Sequence, residues 1–232
     1  MLLPTTLLSA KTVATIGDVE YETLADAING ANDNDTIKLI EGEIPFNTAI
    51  AIKKNLTIQG AGMDKTTIIS KSDSSGVFFQ IGSASVPNAI TVTFEDMTLS
   101  GFGDTYAGIK DDATVFKLRS DAAAGTMFIG ENLKVEKFHR SAFAFFSGSF
   151  EISDCFIDCA NSNTSHLTKG IQAGMIGKAT GTIKNTTIIN ANSTYPTAPS
   201  AAIEVYHNAD VTIEGCTLNN VQNGVSVARY YA

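Results

Sequence analysis

The chain has 232 residues, of which 44% are hydrophobic and 17% charged, which is enough apolar side chain for a core and not the composition of a disordered segment. Its 24 acidic residues against 16 basic ones leave a net charge of −8, which repels phosphate backbones and anionic headgroups and argues against nucleic acid as a partner. No apolar run is long enough to cross a membrane as a helix, and the odd count of three cysteines implies no disulfide framework.

Met1 to Ala10 is apolar but short, contains Pro4 and lacks a basic leading region, so residues 1–15 read as an N-terminal extension or the remnant of a secretion signal. Residues 16–232 read as one domain. Within it, Leu24, Ala27, Ile28 and Ala31 recur at helical spacing and predict a short amphipathic helix over about 23–30. Thr23 and Asp26 have the spacing of a capping box, and Gly30 is expected to stop the helix in a left-handed conformation. The turn cluster Asn32-Asp33-Asn34-Asp35 then leads into Thr36-Ile37-Lys38-Leu39, which alternates as a half-buried strand does.

From there a phrase repeats: an apolar residue, two positions ending in Asp, Asn or Gly, and a second apolar residue five positions after the first. It reads Phe94-Glu95-Asp96-Met97-Thr98-Leu99, Ile152-Ser153-Asp154-Cys155-Phe156-Ile157, Ile183-Lys184-Asn185-Thr186-Thr187-Ile188 and Ile213-Glu214-Gly215-Cys216-Thr217-Leu218, with a looser copy from Ile129 to Val135. The spacing is that of a solenoid with loops of variable length. Asp, Asn and Gly tolerate positive φ, so the third position of the phrase predicts a sharp bend between two strands. A third strand fits each coil, at Phe116-Lys117-Leu118, Phe143-Ala144-Phe145, Ile171-Gln172-Ala173, Ile203-Glu204-Val205 and Val225-Ser226-Val227. Stacked coils of this kind predict an all-β parallel β-helix of six to seven rungs with Phe143, Phe145, Ile152, Ile183, Ile203, Val205 and Ile213 inside. Cys155, Cys159 and Cys216 read as small core residues.

The segments Tyr21-Glu22-Thr23-Leu24-Ala25-Asp26-Ala27-Ile28, Asn34-Asp35-Thr36-Ile37-Lys38-Leu39 and Asn55-Leu56-Thr57-Ile58-Gln59-Gly60-Ala61-Gly62, with Asp64-Lys65-Thr66-Thr67-Ile68-Ile69, resemble the pectin-lyase-like right-handed parallel β-helix superfamily, as seen in bacterial surface proteins. The resemblance implies a right-handed coil with a capping helix and an extracellular or cell-surface location. It leaves the activity open, because lyases, hydrolases, adhesins, phage spikes and passive spacers share the architecture.

The related enzymes cleave polysaccharide along the third-strand face with clustered carboxylates and Arg, Lys or calcium. Here the outward residues of that face are Lys117 and Arg119, Ala144 and Phe146, Gln172 and Gly174, Glu204 and Tyr206, Ser226 and Ala228, with a single carboxylate among them. At about 4.8 Å per coil, Glu204 lies about 14 Å from Lys117, and no pair of acids stands at the separation a glycosidase needs. Asp111-Asp112 read as a solvated loop, Asp154 as the turn residue of its coil, and Asp158 as a polar-edge residue following the second strand of the same coil. His139, His166 and His207 read as turn residues of different coils, none at zinc-binding spacing.

The sequence therefore predicts no catalytic residues, no metal site and no cofactor. The candidate binding residues are Glu204, Tyr206 and His207 on the third-strand face, with Tyr106, His166 and Tyr195 in the loops preceding third strands, where tyrosines can stack on sugars. The function expected is a non-catalytic adhesin-like module contacting polysaccharide or cell-surface glycan, with a lyase or hydrolase of acidic polysaccharide as the alternative. Past Val225 and Val227 nothing reads as a second cap, which predicts self-association, further coils or another domain at that end.

Overall fold

A computed structural model describes residues 11–70, 76–103, 114–160, 168–192 and 200–229. The described residues begin with a hairpin, β1 (Ala14–Ile16) and β2 (Val19–Tyr21), followed by a helix, α1 (Leu24–Gly30). It then makes seven passes. The strands are β3 (Asp35–Leu39), β4 (Gly42–Pro45) and β5 (Ile50–Ile52); β6 (Leu56–Gln59), β7 (Thr66–Ile69) and β8 (Val77–Ile81); β9 (Thr91–Ser100) and β10 (Thr114–Leu118); and β11 (Met127–Glu136) and β12 (Ser141–Phe145). The last three passes are β13 (Gly148–Ser153), β14 (Phe156–Asp158) and β15 (Lys169–Ala173); β16 (Ala179–Lys184), β17 (Thr187–Ile189) and β18 (Ala201–Tyr206); and β19 (Ala209–Glu214), β20 (Thr217–Asn219) and β21 (Val225–Ala228).

These strands form an all-β fold in which every strand from β3 onward pairs in parallel with its counterpart in the next pass. One sheet of fourteen strands holds the first two strands of each pass, and one of seven strands, in the order β21-β18-β15-β12-β10-β8-β5, holds the third. Third strands align residue on residue, Phe116 on Phe143, Phe143 on Ile171, Ile171 on Ile203 and Ile203 on Val225. In β9 and β11 the first two strands are continuous, bent at Asp96 (φ 59°) and Asn132 (φ 50°). The same bend is made by Asp154 (φ 53°), Asn185 (φ 49°) and Gly215 (φ 64°), as the repeat phrase requires. The bends also bond to one another, with the Asn132 amide donating to Asp96 (2.7 Å) and the Asn185 amide to Asp154 (3.2 Å).

The looser copy of the phrase is displaced by one residue. Gly130, not Ile129, faces Phe94 and Ile152. A Cβ at Gly130 would lie 3.0 Å from Ile152 and 3.1 Å from the Phe128 ring, so Phe128 and its neighbours fill the space that an apolar residue takes in the other copies.

The core is one continuous cluster running from Val13 to Ile203, with the passes after β15 contributing smaller residues. In the middle passes it is a stack of rings: Phe79 on Phe116 (5.3 Å between centroids), Phe116 on Phe143 (5.2 Å) and Phe145 on Phe150 (4.0 Å). Phe143, Phe145, Ile152, Ile183 and Ile203 are buried as expected, whereas Val205 and Ile213 are only half-buried: Val205 has the exposed Val227 of β21 as its neighbour on one side, and Ile213, in the last pass itself, pairs with Ile183 of β16 alone. Cys155 and Cys159 are buried, Cys216 half-buried, and all three are free.

At the other end Leu24, Ala27 and Ile28 of α1 join the core. Thr23 caps the helix by accepting from the Asp26 N–H (3.0 Å) while its hydroxyl donates to the Asp26 carboxylate (2.6 Å). Gly30, in contrast, is not left-handed. It is the last residue of α1, where a Cβ would lie 2.9 Å from the Tyr21 ring, and Ala31 ends the helix in an extended conformation. The folded body also begins before residue 16: Val13 and Ala14 are buried, and Ala14 in β1 pairs with Leu39 of β3. Among the described residues no helix is long and apolar enough to cross a membrane.

Candidate functional site

The outer surface of the third-strand sheet departs from simple alternation. Val115 and Phe116, Ala142 and Phe143, and Ala202 and Ile203 are consecutive core residues. In β15 the first position of the pair is Gly170, whose Cβ would meet the core side chain of Ile188 at 2.9 Å. Two inward residues in succession leave the positions on either side, Lys169 and Gln172 in β15 and Glu204 in β18, on the side of the sheet away from the apolar core, and all three are nevertheless buried. Gln80, Lys117, Ala144, Gln172, Glu204 and Ser226 are in register across this face.

Three groups converge on one oxygen, Oε2 of Glu204. The Lys169 ammonium forms an ion pair with it, the Tyr206 hydroxyl donates to it (2.6 Å), and the Gln172 amide donates from 3.4 Å. Lys169 is 4% exposed and Glu204 7%. Burial pulls the Lys169 ammonium below the usual lysine range, against the Glu204 carboxylate, which acts in the opposite sense. Glu204 and Tyr206 are thus brought together as the sequence suggested, but their partner is Lys169, which the sequence reading missed, and the acid is turned away from solvent. The missing signal was positional, because Lys169 stands two residues before Ile171 and counts as inward in a strictly alternating strand.

The remaining charges of this face are also engaged. The Lys117 ammonium sits 4.4 Å over the Phe146 ring, and the Arg119 guanidinium bonds both Gln80 (2.8 Å) and, through two nitrogens, Asp121 (2.7 Å each). His207 is exposed after β18 and lines a shallow depression of about 300 Å³ with Lys178, Asn208, Ala209 and Asp210, and has no hydrogen bond to Glu204 or Tyr206. His139, expected at a surface turn, is buried. Tyr106, His166, Tyr195, Asp111 and Asp112 lie outside the described residues.

A more open surface lies on the outer side of the large sheet. Thr91, Met127, Ser149, Thr180 and Asp210 form one row across successive passes, and Thr57, Thr93, Ile129, Glu151, Thr182 and Thr212 form a parallel one two residues along each strand. Side chains repeat at about 4.8 Å within a row, with about 6.6 Å between rows. All are half-buried or exposed, and Ser149 and Thr180 share a hydrogen bond of 3.2 Å. Where the rows pass over β13, β16 and β19 they line a depression of about 290 Å³. Asp210 borders both this depression and the one that holds His207.

Next to it on β9 and β11, burial and the neighbouring Asp96 and Glu131 push the Glu95 carboxyl up from its ordinary value, with a Gln59 amide donating to it (2.8 Å). Among the described residues no three His, Cys, Asp or Glu side chains converge to hold a metal ion. The two buried thiols are poor nucleophiles: burial pushes Cys155 up to about 12 and Cys159 higher still.

No protein-family model and no curated protein matches the sequence. Among solved structures it is similar to one titled Geobacillus virus E2 ORF18, at 13% identity and a TM-score of 0.33, covering 90% of this chain and 58% of that one. The chain thus spans less than two thirds of that protein's length.

Proposed function

We propose that the chain is a right-handed parallel β-helix of the pectin-lyase-like kind and serves as a non-catalytic, extracellular or cell-surface module that contacts carbohydrate. The observation that carries this reading is the pair of hydroxyl and carboxylate rows on the outer side of the large sheet. Threonine and serine hydroxyls both donate and accept, Glu151 and Asp210 accept from sugar hydroxyls, and Met127 and Ile129 offer apolar surface to the C–H face of a sugar ring. A ligand with hydroxyls at regular intervals along its length suits such rows. The net charge of −8 favours a neutral or cationic chain over a polyanion.

The non-catalytic part of the reading rests on the third-strand face. Its described carboxylate, Glu204, is buried and ion-paired, and among the described residues of that sheet no second acid stands in register with it to supply the pair a glycosidase uses. Affinity electrophoresis through gels containing neutral, cationic or acidic polysaccharide tests the proposal. Retardation is expected in a neutral or cationic gel, lost in a Thr182→Arg, Asp210→Arg double variant that melts like the parent. Release of reducing or unsaturated ends from any polymer would overturn the non-catalytic assignment, and migration unaffected by all gels would overturn carbohydrate contact.

A further inference from the structure

We infer that Lys169 and Glu204 become joined by an amide bond after folding, a covalent tie between the neighbouring strands β15 and β18. The two side chains come from consecutive passes, are in contact, and are 4% and 7% exposed. In water a free amine and a free acid resist condensation, because both ionise and both ions are strongly hydrated. Here that hydration is withdrawn from each partner, which removes much of the advantage of the separated ions. Burial and the nearby Arg140 cation both work against the Lys169 ammonium, and a desolvated lysine amine is a nucleophile. The fold also holds the reacting groups together, which substitutes for a high concentration of one beside the other.

The chemistry needs no other reactant. A proton passes within the pair from the Lys169 ammonium to the Glu204 carboxylate, giving neutral amine and neutral acid. The Nζ lone pair attacks Cδ of Glu204, forming the C–N bond and a tetrahedral centre. Oε2, to which the Tyr206 hydroxyl donates, then leaves with the proton it received and a second one from Nζ, so the C–O bond breaks and one water is released. Nothing is oxidised or reduced. The Gln172 amide, in register with Glu204 and donating to the same oxygen, and Tyr206 are positioning residues that hold the leaving oxygen toward Nζ.

Intact mass spectrometry of the denatured full chain gives a direct test. The expected result is a deficit of one water, with proteolysis yielding a branched peptide that joins Lys169 to Glu204. Lys169→Arg should have its full calculated mass. Glu204→Gln should lose ammonia in place of water, a signature that a structural ion pair does not produce. Tyr206→Phe should form the same product more slowly, read as the unbranched fraction against time after refolding. A folded wild-type chain that keeps its full mass after days at neutral pH overturns the inference, as does a deficit that fragmentation places elsewhere. Either result leaves the carbohydrate reading intact, since the rows on the large sheet do not involve these residues.

Discussion

The middle passes and the last one are written in the same repeat phrase, yet they are held by different physics. In the middle, Phe79, Phe94, Phe116, Phe128 and Phe143 touch along the stack and across it, so each ring contacts at least two of the others. In the last pass Ile213, Cys216 and Leu218 are half-buried, and Val225 and Val227 are 50% and 82% exposed. A repeat therefore fixes where a side chain points but not how much water it loses, which depends on whether a further layer covers it. This difference also separates surface from core in the functional reading, because Thr182 is available on the outside only while Ile183 beside it is locked inside.

The harshest way to break the comparison is to place a charge in a covered layer. Ile183 is fully buried between Ile152 and Ile213 in the ladder, so Ile183→Asp leaves a carboxylate without a partner at a cost of several kcal/mol, comparable to much of a domain's net stability. The expected outcome is no soluble, cooperatively melting protein. A well-folded Ile183→Asp chain would show that the register is wrong.

A milder pair of substitutions measures the difference itself. Phe116→Ala removes a ring from the centre of the stack and is expected to cost about 3–5 kcal/mol, since the rings of Phe79, Phe94, Phe128 and Phe143 cannot all close the space. Ile213→Ala is expected to cost well below the about 2–5 kcal/mol of a fully buried isoleucine, because its side chain already faces water on one side. Denaturant unfolding of both variants checks this, and equal losses would mean that the last pass is as well covered as the middle.

How much of this was legible follows from which signals are local. Positive φ at Asp96, Asp154, Asn185 and Gly215 could be read directly, because few residues tolerate it, whereas the bend at Asn132 lies one residue past the position the phrase marked, and the in-register third strands followed from the repeat. The Thr23 cap is likewise a matter of residues three apart. What could not be read depends on how side chains pack once the passes are stacked. Gly30 answers to the Tyr21 ring, Gly130 to Phe128 and Ile152, and Lys169 to a strand that turns two successive residues inward. Glu204 and Tyr206 were found as chemistry, but the amine opposite them was hidden by counting in twos. The open rows on the large sheet were missed for another reason: threonine is common in strands, so its alignment across passes carries meaning only once the register is known.

The smallest expected effect concerns an ion pair at the edge of the aromatic region. Just past β10, Arg119 grips Asp121 through two nitrogens, and that hydrogen bonding lowers the Asp121 carboxyl to about 2. A carboxylate depressed in the folded state stabilises it above its unfolded pKa, and this contribution is lost as the pH falls from about 4 toward 2. Both side chains are more than a third exposed, so solvent screening keeps the effect below about 1 kcal/mol. Denaturant midpoints for the wild type and Asp121→Asn at neutral pH and at about pH 3 isolate it. The gap between the two proteins should narrow in acid, since the variant has no proton to gain at that position. A constant gap would mean that the carboxylate is not held by Arg119 in solution and that this edge is supported by the rings beneath it alone.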